Sequence, residues 1–479
     1  MDRSSGLDVT LRYMYLQCSC AGVNIECDKH DRRSTEQTLD DPLQCTLSKM
    51  SSKVILSINA GSSSLKVSVF SYHPSSSSSD PKPLATIQVT GLTAPPATLK
   101  YDRGDHHIKS QPLSETDVHS QETAYEYIIH HLTSDAALPE LSHPDDIEFA
   151  CHRVVHGGDY DKPVRIDRDT FHHLEALSDL APLHNAGALT IVKAVHDSCP
   201  KASNIAFFDN AFHHTLPQAA RTYAIDQQVA KRNKLRKYGF HGLSYAFIAR
   251  SVAAHLAVPA SELNIIALHL GSGASACCIQ GGASIDTSMG LTPLDGLPGA
   301  TRSGSVDPSL IFHFTHDAGK LSPSSAKGMH ITEAEEILNK KSGWQALTGT
   351  TDFGAISAKA GDGDAACKLA FDIFVDRIAD FVAAYYVKLG GQVDALVFAG
   401  GIGEKGAELR RAVVGKVACL GFALDEGRNA EPDGEAVVAD IGREEGGGGK
   451  PRVLICQTDE QAEMARECVR DADGLRRPA

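Results

Sequence analysis

The same local pattern occurs twice in this chain. Val54–Phe70 reads as an apolar strand, a turn of glycine and serine, and a second strand. Asn264–Ile279 repeats strand, Gly/Ser turn and strand, starting 210 residues later. Two hairpins of one design predict a duplicated domain. Turns built from Gly and Ser leave backbone N–H groups free to point at an anion. Two such turns facing each other could hold a phosphate chain from both sides. A third glycine turn, Ala399–Glu404, follows the apolar strand Ala395–Phe398 and precedes a helical pattern, which again suits a phosphate or nucleotide. Elsewhere short apolar strands alternate with longer helical patterns, including a strand at Arg452–Cys456, and this alternation predicts an α/β fold.

At 479 residues the chain is long enough for more than one domain. Its net charge of −14 argues against a general nucleic-acid or membrane surface, so any anion must be met by a local cluster of cations. The longest apolar stretch, Phe371–Leu389, carries Asp372, Asp376, Arg377 and Asp380 and reads as an amphipathic core helix rather than a membrane span, which takes about 20 apolar residues. Of the 12 cysteines, the eight beyond residue 50 show no metal-ligand spacing and read as reduced thiols of a cytoplasmic protein. Residues 1–49 are polar and aperiodic and match no targeting pattern. We expect them to be disordered and dispensable, with Met50 as a candidate start. Ser75–Ser79 and Gly446–Gly449 read as flexible loops.

Charged residues recur beside tight glycine turns. Arg153 is placed just after a strand, in Cys151–Gly158; Asp209 ends another strand; His241 stands between Gly239 and Gly242; Arg302 lies in the turn Thr301–Gly304; and Asp459 and Glu460 follow the last strand. Together they form a cationic and metal-binding set suited to an anionic reaction. No GxxxxGK[ST] element occurs, which excludes a P-loop enzyme.

With these motifs the chain resembles the acetate kinase (acetokinase) family. The matching segments are Ile58–Lys66, His152–Gly158, Ala181–Asn185, Tyr238–Gly242, Asp286–Gly290, Gly299–Gly304 and Gly400–Glu404, in family order from about residue 53 to 468. The resemblance implies duplicated actin-like (ribonuclease H-like) α/β domains with a cleft between them. Domain I would comprise residues 50–210 plus 462–479, and domain II, on the nucleotide side, residues 211–461. It also implies a homodimer that makes acetyl phosphate and ADP from acetate and ATP, reversibly, with Mg²⁺ or Mn²⁺ in its place. Asp209, His241 and Arg302 would be catalytic, with Asp209 orienting an arginine or the metal shell. Arg153 would hold the acetate carboxylate, and Val155, Leu183, Phe240 and Pro293 its methyl group. Nucleotide and phosphate contacts fall on Ser62, Ser64, Lys66, His269, Leu270, Gly271, Ser272, Gly273, Asp352, Phe353, Gly401, Ile402, Gly403 and Glu404. Asn59 and Glu460 would hold the metal.

Physical chemistry agrees with that reaction. A carboxylate is already ionised at neutral pH and needs no strong base, so bringing one anion onto another makes positioning and charge neutralisation the main tasks. The chain departs from the family pattern at Ser272, Gly354, Lys405, Leu243 and Tyr245. Three of these, Ser272, Gly354 and Lys405, are expected around the nucleotide, which predicts weak discrimination among nucleotides. None of the five is expected to touch the acetate arginine, the His/Arg pair or the metal ligands. The alternatives are a propionate or butyrate kinase, a pyrophosphate-dependent form, and a non-catalytic nucleotide-binding protein of the same fold.

Overall fold

The first hairpin forms as its pattern predicts. Strands β1 (Lys53–Ala60) and β2 (Ser64–Tyr72) are antiparallel, with Asn59 opposite Lys66 and Ala60 opposite Leu65. The computed structural model describes residues 52–61, 63–74, 80–177, 182–311, 332–443 and 451–476. The segment 1–49, Ser62, Ser75–Ser79 and Gly446–Gly449 lie outside the described residues.

Three further antiparallel strands extend this hairpin: β3 (Lys82–Thr90), β4 (Thr98–Arg103) and β5 (His106–Pro112). On its other side lie β6 (Ile147–Val154) and β8 (Ser203–Phe208), both parallel to β1, with the two-residue β7 (Val164–Arg165) at the edge. The order is β5-β4-β3-β2-β1-β6-β8-β7. The second sheet comprises β9 (Asn264–Leu270), β10 (Ala274–Gln280), β11 (Ala283–Thr287), β12 (Ala395–Ala399), β13 (Val438–Asp440) and β14 (Arg452–Cys456). Its order is β11-β10-β9-β12-β14-β13, with β12 parallel to both β9 and β14 and β13 antiparallel to β14. The segments β3-β2-β1-β6-β8 and β11-β10-β9-β12-β14 are therefore one topology used twice: an antiparallel meander of three strands, then two parallel strands joined beside the first.

Helices cover both faces of each sheet, as parallel strands require. Helices α1 (Gln121–Ser134) and α2 (Pro182–Ser198) place Ile128, Ile191 and Val195 against Leu56, Ile58 and Val67 of the first sheet. Helix α3 (Gly242–Leu256) packs Ile248 and Val252 against Ile265 and Val397 of the second. On the opposite face of that sheet helix α4 (Ala365–Lys388) packs Phe374, Ile378 and Val382 against Leu268 and Phe398. This is the amphipathic helix expected at Phe371–Leu389; its Asp372, Asp376, Arg377 and Asp380 stay solvent-exposed. No helix among the described residues is long and apolar enough to cross a membrane. The eight described cysteines are free thiols.

Two local details differ from the sequence reading. Arg153 lies inside β6, not after it, because the parallel ladder with β8 continues through Arg153–Phe207 and Val154–Phe208. The Ala399–Glu404 turn is helical from its first glycine, forming the short α5 (Gly400–Lys405) directly off β12, followed by α6 (Ala407–Lys416). After β14 comes helix α7 (Glu460–Arg470), whose Met464 and Cys468 pack on Ile55, Phe149 and Phe207 of the first sheet.

Candidate active site

Strand ends and helix starts converge on one cavity of about 400 Å³. β1 contributes Asn59, β2 Lys66, β6 Arg153 and β9 His269, while Gly271–Gly273 closes the second hairpin. His241, Gly400, Gly401, Glu404 and the segment Thr458–Gln461 complete the lining. The two hairpins that echo each other in sequence thus belong to different sheets, and both reach this cavity, the first through its strands and the second through its turn.

Arg153 is the hub. Its Nε and Nη2 donate to the two oxygens of Asp209 at 2.9 and 2.7 Å, and its Nη1 lies 2.7 Å from Glu460 Oε2. Burial opposes the Arg153 charge, but the two carboxylates outweigh it and raise the pKa above the ordinary arginine value. The carboxylates move in opposite directions. Burial pushes Asp209 up, with Arg153 pulling it back, whereas Glu460 is lowered because Arg153, His269, Ser244 and Lys66 together overcome its burial. Ser244, at the start of α3, donates to Glu460 Oε1 at 2.5 Å.

The same helix start presents His241, held at φ 60°. The backbone runs too close here for any side chain at the next residue. Gly242 N–H donates to the Asp209 carbonyl at 2.7 Å, and a Cβ on Gly242 would stand 2.2 Å from that oxygen. Burial, then His269, Arg153 and Arg302, hold the His241 pKa well below its usual value, so the imidazole is neutral at neutral pH. Arg302 reaches the same place from its turn: its Nη1 lies 3.0 Å, and His241 Nε2 3.5 Å, from where a Cβ on Gly273 would be. Burial followed by Arg153 lowers the Arg302 pKa. Among the described residues no carboxylate forms an ion pair with Arg302, and Lys66 acts on Glu460 at longer range.

A second cavity of about 550 Å³ adjoins the first and shares Gly271, Ser272 and Gly401 with it. It is also lined by Asp352, Phe353, Gly354, Ile402 and Lys405. The departures Ser272, Gly354 and Lys405 all line this space. Asp352 caps the helix that follows it, accepting from the N–H groups of Gly354 and Ala355 at 2.9 and 3.1 Å.

The remaining residues named from sequence sit elsewhere. Val155 and Phe240 pack with Tyr238, Met289 and Leu291 in a small apolar cluster. Pro293 is buried, and Leu183 falls in the first turn of α2. Ser64 pairs with Thr90 in the first sheet, and the Leu270 side chain is wholly enclosed in the second core. Gly403 is buried within α5.

Four supporting residues are absent from the sequence reading: Ser244, Ser275, Tyr245 in its contact role, and Gln461. His241 Nδ1 lies 2.8 Å from Ser275 Oγ, which lies 2.5 Å from the Tyr245 hydroxyl. The departure Tyr245 does not touch the His/Arg pair but reaches it through one intermediary, Ser275. Gln461 donates to the carbonyls of Ser57 and Lys66, at 2.7 and 3.3 Å, tying α7 to the first hairpin.

A twice-used sheet topology, with one cavity lined from both hairpins and holding Lys66 and Arg153 beside Asn59 and Glu460, defines a phosphotransferase of the actin-like class. The chain belongs to the acetokinase family, whose model matches residues 54–466. It is 54% identical over 454 residues to a probable acetate kinase from Chaetomium globosum, covering 88% of this chain and 98% of that protein. It is 36% identical to an acetate kinase from Streptomyces coelicolor, covering 87% and 97%. Among solved structures it is similar to a propionate kinase from Francisella tularensis, at 33% identity and a TM-score of 0.74, covering 87% of this chain and 98% of that one. An acetate kinase from Entamoeba histolytica matches at 29% identity and a TM-score of 0.69, with the same coverage.

Proposed function

We propose that the protein transfers a phosphoryl group reversibly between ATP and acetate, giving acetyl phosphate and ADP. The observation that carries this reading is the convergence of Arg153, His241, Arg302 and Lys66 around one cavity that opens onto a second. Three of the five guanidinium N–H groups of Arg153 serve Asp209 and Glu460, which leaves two for a substrate carboxylate. Asp209 fixes the plane of that guanidinium and abstracts no proton, because acetate is already an anion. The family resemblance assigns the methyl group to Val155, Leu183, Phe240 and Pro293, of which Val155 and Phe240 pack together in one apolar cluster.

The attacking carboxylate and the leaving nucleotide lie in line across the transferring phosphoryl. His241, neutral and donating, and Arg302 stabilise its equatorial oxygens. Lys66 and the N–H groups of Ser272, Gly273, Gly400 and Gly401 take the nucleotide phosphates, and the second cavity takes the nucleoside. The oxygen donors fit Mg²⁺. Among the described residues no cluster of three His, Cys, Asp or Glu could cage a metal, which suits an ion that keeps most of its waters and shares phosphate oxygens. Asn59 and Glu460 would hold it, with Mn²⁺ as a substitute; once bound it neutralises phosphate charge. We assign the first sheet with residues 462–479 to the acyl side and residues 211–461 to the nucleotide side, and infer a cytoplasmic homodimer.

Trapping acyl phosphate as the hydroxamate tests this directly, with acetate, propionate and butyrate each offered against ATP, GTP and pyrophosphate. Acetate with ATP should give the highest kcat/KM, and GTP should serve nearly as well, given Ser272 and Gly354. Arg153→Ala should raise the acetate KM at least about tenfold with little change for ATP. A propionate preference would move the assignment to the neighbouring acyl kinase, and unchanged acetate kinetics in a folded Arg153→Ala variant would remove Arg153 from the acyl site.

A further inference from the structure

The contact between His241, Ser275 and Tyr245 has a direction. Ser275 Oγ carries one proton and bridges two partners, His241 Nδ1 at 2.8 Å and the Tyr245 hydroxyl at 2.5 Å. Tyr245 is fully buried, and among the described residues its hydroxyl has no hydrogen-bond acceptor other than Ser275. Were the chain of donors reversed, with Nδ1–H donating to serine and serine to tyrosine, the phenolic proton would be buried without an acceptor, at the full desolvation cost of that group. The satisfied arrangement runs the other way. Tyr245 donates to Ser275, Ser275 donates to His241 Nδ1, and the imidazole keeps its one proton on Nε2. That nitrogen lies on the side of the reaction cavity, 3.5 Å from the Cβ position of Gly273, a point 3.0 Å from Arg302 Nη1.

We propose that Tyr245 and Ser275 are positioning residues that fix the tautomer of His241, so that a neutral Nε2–H donor faces the transferring phosphoryl group. The alternative tautomer would aim a lone pair at an oxyanion. A hydroxyl chain also polarises along its length and strengthens the terminal donor. The imidazole is kept neutral by burial and by the arginines around it, so only a tautomer lock, not a charge, turns it into a directed donor. The role falls to a tyrosine that sequence comparison marks as a departure from the family pattern, and it rests on the reading of His241 given above.

The test is a double-mutant cycle with a spectroscopic arm. Tyr245→Phe keeps the ring and removes the one donor; Ser275→Ala removes the intermediary. Each should lower kcat by about 10- to 100-fold, the range produced by losing a residue that orients a reactive group, with KM for acetate and nucleotide nearly unchanged. In the Ser275→Ala background Tyr245→Phe should cost nothing more. In ¹⁵N-histidine-labelled protein the His241 signals, assigned by their loss in His241→Gln, should report Nε2–H in the native enzyme and a mixture of tautomers in Tyr245→Phe. Independent, multiplicative losses in the double variant, or an unchanged tautomer in Tyr245→Phe, would overturn the proposal. If Ser275→Ala fails to fold, the tautomer measured in Tyr245→Phe decides alone. His241→Ala separates the two levels: full kcat in that variant defeats the role given to His241 itself, whereas a loss there with native kcat in Tyr245→Phe defeats only the relay.

Discussion

Position 273 illustrates how one atom can matter at this site. A methyl group on Gly273 would stand 3.0 Å from Arg302 Nη1 and 3.5 Å from His241 Nε2. The nearer neighbour is the end of a flexible side chain, so Gly273→Ala should fold and displace Arg302 instead of breaking the hairpin. Misplacing a charge-stabilising group by under an ångström is expected to lower kcat about tenfold or more, while the thermal midpoint stays close to native. Native kcat in Gly273→Ala would mean that Arg302 does not act over this turn. At this scale much of the site was legible from local motifs. Arg153, Asp209, His241, Arg302 and Glu460 each sit beside a glycine turn or a strand end, and they meet in space. Ser275, Ser244 and Gln461 were not legible, because their roles arise from contacts across 34, 216 and 404 residues of sequence. A buried serine in a strand carries no local sign of such a partner.

Among elements, α5 is the least able to stand alone. It has six residues, far below the length at which an isolated helix is stable. It is held by Arg410 of α6, which is 1% exposed and among the described residues has no carboxylate partner. The Arg410 guanidinium donates to the carbonyls of Gly403 and Glu404 at 2.8 and 2.9 Å, and to Asn429 Oδ1 and its carbonyl at 2.8 and 2.7 Å. One cation thus satisfies the orphan carbonyls at the end of the helix that lines both cavities. Arg410→Met keeps the stem and removes the donors; we expect it to lower unfolding free energy by about 2–4 kcal/mol, since several buried acceptors lose their partners. It should also raise the nucleotide KM more than the acetate KM. Urea unfolding and steady-state kinetics check both, and an unchanged nucleotide KM would show that α5 is fixed by other contacts. The glycine run marking α5 is plain in sequence, but read there as a loop; the buried arginine that makes it a helix lies outside the motif.

For the molecule as a whole, buried neutral histidines make stability depend on pH. His213 bonds the Phe240 carbonyl through Nε2 at 2.9 Å and Ser284 of the second sheet through Nδ1 at 2.8 Å. His152 bonds Asn204 at 2.7 Å between β6 and β8, and His156 Nδ1 accepts from Gly158 N–H at 3.1 Å. Burial holds all three down to about 4. The unfolded chain takes up these protons near pH 6.5 and the folded chain only near pH 4, so the stability they confer is complete above pH 6.5 and is lost as pH falls toward 4. Each should cost about 2 kcal/mol by pH 5. Glu467 acts in the opposite sense. Burial and Glu463 push it up to about 7, so it penalises the folded state increasingly as pH rises from about 4.5 to 7, and acidification relieves that penalty. The histidines outnumber it, and between pH 7 and pH 5 the net loss should be about 2–4 kcal/mol. Urea midpoints measured at the two pH values give the sign. Replacing His213 with Asn, which cannot take up a proton, should flatten the dependence while lowering stability at pH 7. A midpoint that rises on acidification would mean that the histidines are already charged in the folded protein.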